Sequence, residues 1–488
     1  FGLASGHIRS DEAEWIEHLQ DVASVEFTEG DDDEEGEESY NELFEFDFFM
    51  PKLEQSVFQR RRDAFANAMG KNAIAILATR QEMMRNCDAD YKYRADSSFF
   101  YLTGFAEPEA VMVLETDDQG AYCYTLFCRE RNRDMEIWTG YRTGTAGAIE
   151  KYLADEAFPI GMLDEEIVPR LLNKDKLFVR LGQAKKFDAI VGGWLHKAQS
   201  MQRQGGEAPQ QIIQIDAVLD EMRLIKSPEE IAQMQIAANI SAQAHIRAMQ
   251  TVHPDMMEYA LEAELNYVFG QHGCVPSYNS IVGGGANACI LHYVENDQPL
   301  RDGDLVLIDA ACEYQCYAAD ITRTFPINGK FTGEQKALYE VVLQAQLAAI
   351  DATRLGNHYK YPHEVAVKIL TEGLIDLGLL NGGLDELIET EAYRQFYMHG
   401  TGHWLGMDVH DVGNYKVDGK WRHYEAGMVV TVEPGLYIAP DDDSVDEKWR
   451  GIGIRIEDDI VITDNEPLIL TSDVVKSIDD IEYVMRHR

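Results

Sequence analysis

Positive charge is what this sequence has least of. Lys and Arg number 43 against 85 Asp and Glu, for a formal net charge of −42. A nucleic-acid binder carries a basic footprint, and an acidic surface repels phosphate backbones and anionic lipids. Nucleic acid and membrane surfaces are therefore excluded as partners. No run approaches the roughly 18 uncharged apolar residues of a transmembrane helix. Cysteine is scarce: Cys87, Cys123, Cys128, Cys274, Cys289, Cys312 and Cys316 are scattered and odd in number, which argues against a disulfide framework. Cys312 and Cys316 lie close enough for a metal clip, but no second Cys or His pair at zinc spacing accompanies them; they read as strand or loop thiols. Thiols used this way fit a reducing cytoplasm. Phe1-Gly2-Leu3-Ala4 lacks a basic n-region and a cleavage site, so it does not read as a signal peptide. It also lacks an initiator Met, as expected of a fragment or a processed product.

What the chain does have is size and apolar content. With 488 residues, 45% of them hydrophobic, it can bury two or three domain cores. Residues 1–47 stand apart. Asp11 to Val25 has the spacing of an amphipathic helix, with Trp15, Leu19 and Val22 on one face. Glu26 to Asp47 holds Asp31-Asp32-Asp33-Glu34-Glu35 and no basic residue, the pattern of a solvated, self-repelling linker rather than an interaction tail. Residues 48–220 alternate strand-like runs (Ala73–Leu77, Ala110–Leu114) with helical ones (Phe58–Met69), which predicts an α/β domain. A third unit, 221–488, opens at Lys226-Ser227-Pro228-Glu229-Glu230. There Ser227 is placed as N-cap, Pro228 as N1 and Glu230 as the capping-box acid. The helix it starts is predicted to run to about Met249, with Ile231, Met234, Ala238 and Ser241 on one face.

The chemistry-bearing residues lie in this last unit. Leu305-Val306-Leu307-Ile308 ends in Asp309. Asp320 precedes Ile321-Thr322-Arg323-Thr324-Phe325. Val429-Val430-Thr431-Val432 ends in Glu433, and Gly453-Ile454-Arg455-Ile456 in Glu457. A fifth segment reads His399-Gly400-Thr401-Gly402-His403. A carboxylate at the edge of an apolar strand is costly unless a cation compensates it. Four such acids and an imidazole exceed one zinc site with open positions and suit two hard or borderline divalent ions, Mn²⁺ or Co²⁺. Metals about 3.5–4 Å apart can activate a bridging water and polarise a carbonyl. Any one of these acids alone is more simply a surface residue of a half-exposed strand; five segments together make that reading poor.

These segments resemble the "pita-bread" metallopeptidases: methionine aminopeptidase, prolidase and aminopeptidase P. The strongest stretches are Leu307-Ile308-Asp309-Ala310-Ala311-Cys312-Glu313-Tyr314 running on to Gly329, and Met398 to Gly406 followed by Asp408-Val409-His410-Asp411-Val412-Gly413. With Phe99-Phe100-Tyr101-Leu102-Thr103-Gly104-Phe105 in the N-terminal part, the resemblance covers about 48–488 and is greatest to bacterial aminopeptidase P. Ala311 replaces a glycine common in the family, small for small. The resemblance implies an α/β N-terminal domain plus an α+β pita-bread catalytic domain. It implies metal ligands Asp309, Asp320, His403, Glu433 and Glu457, with Asp320 and Glu457 bridging two divalent ions. Glu433 is also implied as the proton carrier, His399, His410 and His292 as substrate-site histidines, and Arg455 as a charge behind Asp309. His253, His358, His363 and His423 stay structural or surface residues. The activity implied is release of the N-terminal residue from peptides with proline second, by a cytoplasmic homo-oligomer, dimer or tetramer. Two rivals are prolidase, which takes Xaa-Pro dipeptides, and a metal-free binding module of the same fold. Residues 1–47 resemble the end of a small acidic helical protein family encoded beside bacterial aminopeptidase P, which implies a fusion.

Overall fold

Six strands form the sheet of the N-terminal half, and the apolar run Ala73–Ala78 lies inside it. A computed structural model describes residues 52–487; the expected linker and helix of residues 1–47 lie outside the described residues. From one edge the strands run Glu156–Pro159, Tyr122–Cys128, Val111–Thr116, Ala73–Ala78, Lys176–Val179 and Gln211–Gln214. Ala73–Ala78 pairs antiparallel with Val111–Thr116 and parallel with Lys176–Val179. Both its faces are covered, which is why it reads as a continuous apolar run rather than an alternating one. On one side Ile74 and Ile76 meet Ile167, Leu171 and Trp194 from two helices. On the other the helix Gln55–Met69 brings Phe65 against Phe178, ring centroids 6.3 Å apart.

The helix expected after Ser227 runs Pro228–Thr251. The Ser227 N–H donates to the Glu230 carboxylate at 3.0 Å, as the capping pattern predicts. Its buried face holds Met234, Ala238 and Ser241 as expected and extends round to Glu230. Glu230, Met234, Ala237, Ala238, Ser241, His245 and Ala248 point inward, while Ile231 is half-buried. The reason is Glu230 itself, which accepts from the Tyr317 hydroxyl at 2.9 Å and lies 3.3 Å from Arg61. A paired charge thus takes an interior position that hydrophobic periodicity assigns elsewhere. Cys312 is buried on the strand Cys312–Tyr314, its N–H on the Ser241 hydroxyl at 3.0 Å; Cys316 lies in the following turn. Among the described residues no helix is long and apolar enough to cross a membrane.

Among the described residues of the C-terminal half, two antiparallel sheets of three strands carry the site. One pairs Ile281–Gly284 with Leu305–Asp309 and Thr322–Pro326. The other pairs Val429–Val432 with Asp458–Val461 and Leu468–Ile469. The ribbon Gly435–Tyr437 with Gly453–Arg455 joins them, because Thr324 and Arg455 exchange hydrogen bonds at 3.0 and 3.2 Å. The helices Gly333–Ala352 and Tyr361–Asp376 pack alongside.

Beneath the sheets Arg323, fully buried, donates to Asp458 at 2.7 Å and to the carbonyls of Thr322, Glu457 and Val474. Asp458 also accepts from Lys476, Gln346 and Thr471. Burial alone would raise the Asp458 carboxyl, but Arg323 and Lys476 outweigh it and hold it at about 2. Removing one partner of a buried pair strands the other charge. Arg323→Met is therefore expected to destabilise the fold by about 3–5 kcal/mol in urea unfolding. A loss under about 1 kcal/mol, the scale of an exposed pair, would show the pair to be dispensable.

Candidate metal centre and active site

The proposed acids stand where strands stop. Asp309 is the last residue of its strand and pairs with Thr322, which brings Asp320 alongside. Val432 pairs with Asp458, which sets Glu433, one residue past its strand, beside Glu457, in the break between two others. At strand ends the side chains are released from the ladder and converge on one cleft. That cleft, about 630 Å³, is lined by Asp309, Asp320, His403, Glu433, Glu457 and Arg455 together with His292, His399 and His410.

His403 arrives on a segment that runs like an extra strand against Val429–Glu433. Thr431 N–H donates to the His403 carbonyl at 3.0 Å, and Glu433 N–H to the Thr401 carbonyl at 2.8 Å. The approach is so close that a Cβ on Gly402 would lie 1.9 Å from the Thr431 carbonyl oxygen, whereas one on Gly400 would meet nothing nearer than 4.0 Å. Of the two glycines in His399-Gly400-Thr401-Gly402-His403, Gly402 is the one the packing demands.

Ligand atoms of Asp320, His403 and Glu457 all lie within 4.8 Å of one another. His403 Nε2 is 3.4 Å from Asp320 Oδ2 and 3.8 Å from Glu433 Oε1. Its Nδ1–H donates to the Trp404 carbonyl at 3.0 Å, which turns Nε2 to the acids of the cleft, the nitrogen a cation would take in exchange for its proton. Asp309 joins through Tyr278, whose hydroxyl lies 2.6 Å from both Asp309 and Asp320. One hydroxyl carries one hydrogen, so it serves one of those two contacts and leaves the other carboxylate oxygen uncompensated.

The electrostatics point the same way. Burial raises the Asp309 carboxyl against the pull of Arg455. Burial and the neighbouring acids, Asp320 first, push Glu457 well up. Glu433 is raised to about 7, chiefly by burial. Burial alone would lower His403, yet Asp320 and Glu433 outweigh it and raise it to about 9. These are carboxylates packed with too little positive charge, and one or more divalent cations are the compensation the donor set fits.

The histidines differ in what they can do. His399 donates from Nδ1 to the Gly400 carbonyl at 2.7 Å, so Nε2 is bare and accepts from the Tyr437 hydroxyl at 2.8 Å. Tyr437 in turn accepts from Arg455 at 3.0 Å, and Arg455 donates its other end to Asp309 at 2.7 Å. Burial, with Arg455 nearby, lowers His399 to about 3, so it is neutral. His410 packs edge-on to His403, ring centroids 4.4 Å apart. His292 lines the same cleft. His363 stands behind it, its Nδ1 2.9 Å from the Thr401 hydroxyl.

Comparison with known proteins agrees with this geometry. Residues 232–464 match the model of metallopeptidase family M24, and residues 58–178 that of the aminopeptidase P N-terminal domain. The chain is 47% identical to the Xaa-Pro aminopeptidase of Escherichia coli, covering 89% of this chain and 99% of that one. This chain belongs to metallopeptidase family M24. Among solved structures, a Pseudomonas aeruginosa aminopeptidase PepP superposes with TM-score 0.88 at 51% identity, covering 90% and 99% of the two chains. A zinc-substituted E. coli aminopeptidase P in complex with product gives TM-score 0.88 at 47% identity, covering 90% and 100%. The architecture is the expected one, an α/β N-terminal domain followed by an M24 pita-bread domain.

Three residues of this M24 site escape a reading of the sequence. Tyr278 sits in the loop Ser277-Tyr278-Asn279-Ser280, which has no periodicity to single it out. Tyr437 reads as an ordinary strand aromatic. Thr322, inside a quoted stretch, links two site residues: its hydroxyl donates to Glu457 at 2.6 Å and accepts from Arg455 at 3.1 Å. For the loop glycines the expectation is sharp. Gly402→Ala displaces His403 and lowers both metal content and kcat, the latter by about 10²-fold, the scale of an ångström-sized misplacement. Gly400→Ala is far milder. Metal analysis and steady-state kinetics on both variants check this; equal effects would break the link between close packing and ligand position.

Proposed function

We propose that this M24 chain is a Xaa-Pro aminopeptidase, releasing the N-terminal residue from peptides whose second residue is proline. The observation that carries the reading is the convergence of four carboxylates and His403 on one cleft in a chain that aligns along nearly the whole of Xaa-Pro aminopeptidase relatives. We assign Asp309, Asp320, His403, Glu433 and Glu457 as the residues that would hold two divalent ions, Asp320 and Glu457 being the acids we place where both ions would be reached. Mn²⁺ is the ion we propose for a set so rich in carboxylates. Such ions, when bound, lower the pKa of water and polarise the scissile carbonyl.

The chain's own groups do the rest. Glu433 takes the proton of the attacking water and delivers it to the proline nitrogen, which as a tertiary amide nitrogen must be protonated to leave. His399 offers its Nδ1–H to the developing oxyanion, giving up the Gly400 carbonyl to do so. The Tyr437 hydroxyl, itself held by Arg455, donates to the other His399 nitrogen and fixes that end of the ring. His292 and His410 line the wall on which the peptide lies. Arg455 offsets the Asp309 charge from behind.

The reading extends to the whole chain. We divide it into the acidic segment 1–47, an N-terminal domain 48–220 and a catalytic domain 221–488. Ile137, Trp138 and Tyr141 are 73%, 85% and 91% exposed, and a patch of that kind supports a homo-oligomer, dimer or tetramer. The seven free thiols support a cytoplasmic location.

Two experiments test the proposal. Protein stripped with chelator and reloaded with Mn²⁺ is expected to cleave an Xaa-Pro-Xaa tripeptide with higher kcat/KM than the matching Xaa-Pro dipeptide. Preference for the dipeptide would move the chain to prolidase, and no turnover of either peptide at full metal load would make it a binding module. Separately, Asp320→Asn is expected to lose metal and activity together. His399→Ala, by contrast, lowers kcat by about 10²–10³-fold with metal content near that of the wild type. Metal loss in the His399 variant would make that residue a ligand.

A further inference from the structure

Val409 and His410 face the cleft, while the acids beside them, Asp408 and Asp411, face away from it into a cluster of buried cations. Arg223 spans both: its Nη2 donates to Asp411 Oδ1 at 2.6 Å and to Asp408 Oδ2 at 2.8 Å, and its Nη1 to the Ser98 hydroxyl at 3.0 Å. Lys226 takes the second Asp411 oxygen at 2.9 Å, and the Ser97 hydroxyl takes the second Asp408 oxygen at 2.7 Å. Arg94 donates to the Met407 carbonyl at 2.6 Å and to Glu313 at 2.7 Å. The side chains of Arg223, Lys226 and Asp411 are 3%, 1% and 1% exposed. A Cβ on Gly406 would lie 2.2 Å from the Asp411 carboxylate, so the loop lies directly on the cluster.

None of these cations touches the cleft. Arg94, Ser97 and Ser98 lie within the residues that match the N-terminal domain model, whereas Arg223 and Lys226 fall between the two matched regions. A buried ion cluster is weak evidence for stability, because desolvation offsets most of the attraction. What the guanidinium gives is geometry: the two hydrogens of its planar Nη2 direct two carboxylates into one plane, a constraint an ammonium does not impose. Here the two fixed carboxylates belong to residues 408 and 411, and His410 stands between them with its ring against His403.

We propose that Arg223 is a positioning residue for His410. Through Ser97, Ser98 and Arg94 the Arg223 cluster ties the His403–His410 loop to the N-terminal half, so that half is part of the scaffold of the active site. The inference rests on the role given to His410 above, and the test separates the two.

The experiment is a double-mutant cycle between Arg223→Lys and His410→Ala in the full chain loaded with metal. Arg223→Lys is expected to lower kcat about 10-fold, the order a small misplacement produces, with metal content and thermal midpoint near wild type. In the His410→Ala background the same change is expected to have no further effect on kcat, because the group it positions is gone. An equal fall in both backgrounds, or wild-type kcat in Arg223→Lys, would overturn the inference while leaving the His410 role standing. Full activity in His410→Ala alone would remove that role and the inference with it. If Arg223→Lys does not fold, Ser97→Ala replaces it in the cycle. It strands no charge, its fall in kcat is expected to be smaller, and that fall must likewise vanish with His410 absent; persistence overturns the inference.

Discussion

Four carboxylates and an imidazole held around one cleft, with a single guanidinium among them, is the constraint from which the rest of this molecule follows. Like charges at that spacing repel, and burial makes each ionised form costlier. Only strands that end at the same place can hold them there, and only cations can compensate them. The two antiparallel sheets, the ribbon that joins them through Thr324 and Arg455, and the His403 segment laid against Thr431 are the means by which the fold forces that convergence. Activity is linked to the same source, since charge that is unbalanced in the protein alone is what binds divalent ions tightly and selects hard ones.

Glu457 and Asp458 show how local that imbalance is. They are neighbours in sequence, both buried, yet successive side chains on extended backbone point to opposite sides. Asp458 turns to Arg323 and Lys476 and is held as an anion. Glu457 turns to Asp320, Glu433 and Asp309 and is pushed strongly toward its neutral form. One peptide unit therefore separates an acid that the protein compensates from an acid that it leaves without a cation partner. The same contrast separates His399 from His403. His399 lies beside Arg455 and is kept neutral, with a proton on a known nitrogen, while His403 lies between two acids and is drawn toward the charged form.

Much of this was legible in the amino-acid sequence, and the limits are physical. An apolar run that stops at an acid is a pattern of adjacent residues, so Asp309, Glu433 and Glu457 stand out, as does the Gly-flanked His403. The strand Ala73–Ala78 and the helix starting at Pro228 were legible for the same reason, since periodicity and capping are local. Long-range pairing is not. Arg223 and Asp411 are 188 positions apart, and nothing near either names its partner. The inward turn of Glu230, which widened the predicted helix face, depends on Tyr317 and Arg61 and has no local signature. Tyr278 and Tyr437 are ordinary aromatics until the fold sets their hydroxyls against acids and a histidine.

The unequal glycines of the His399–His403 segment bear on how such a site keeps its precision. A ligand on a loop is free to drift, and drift of an ångström is costly for chemistry. Here the segment is fixed on both sides by different means. Toward the sheet it is fixed by contact, since Gly402 brings backbone onto backbone with no room for a side chain. Beyond the sheet it is fixed by charge, through Asp408, Asp411, Arg223 and Lys226, which Ser97, Ser98 and Arg94 of the N-terminal half join. Contact is stiff but short-ranged and holds His403. The charge cluster acts several residues farther on, where the chain has left the sheet and hydrogen bonds to a neighbouring strand are no longer available. The two devices divide the loop between them, and the second also ties the catalytic half to its neighbour through Ser97, Ser98 and Arg94.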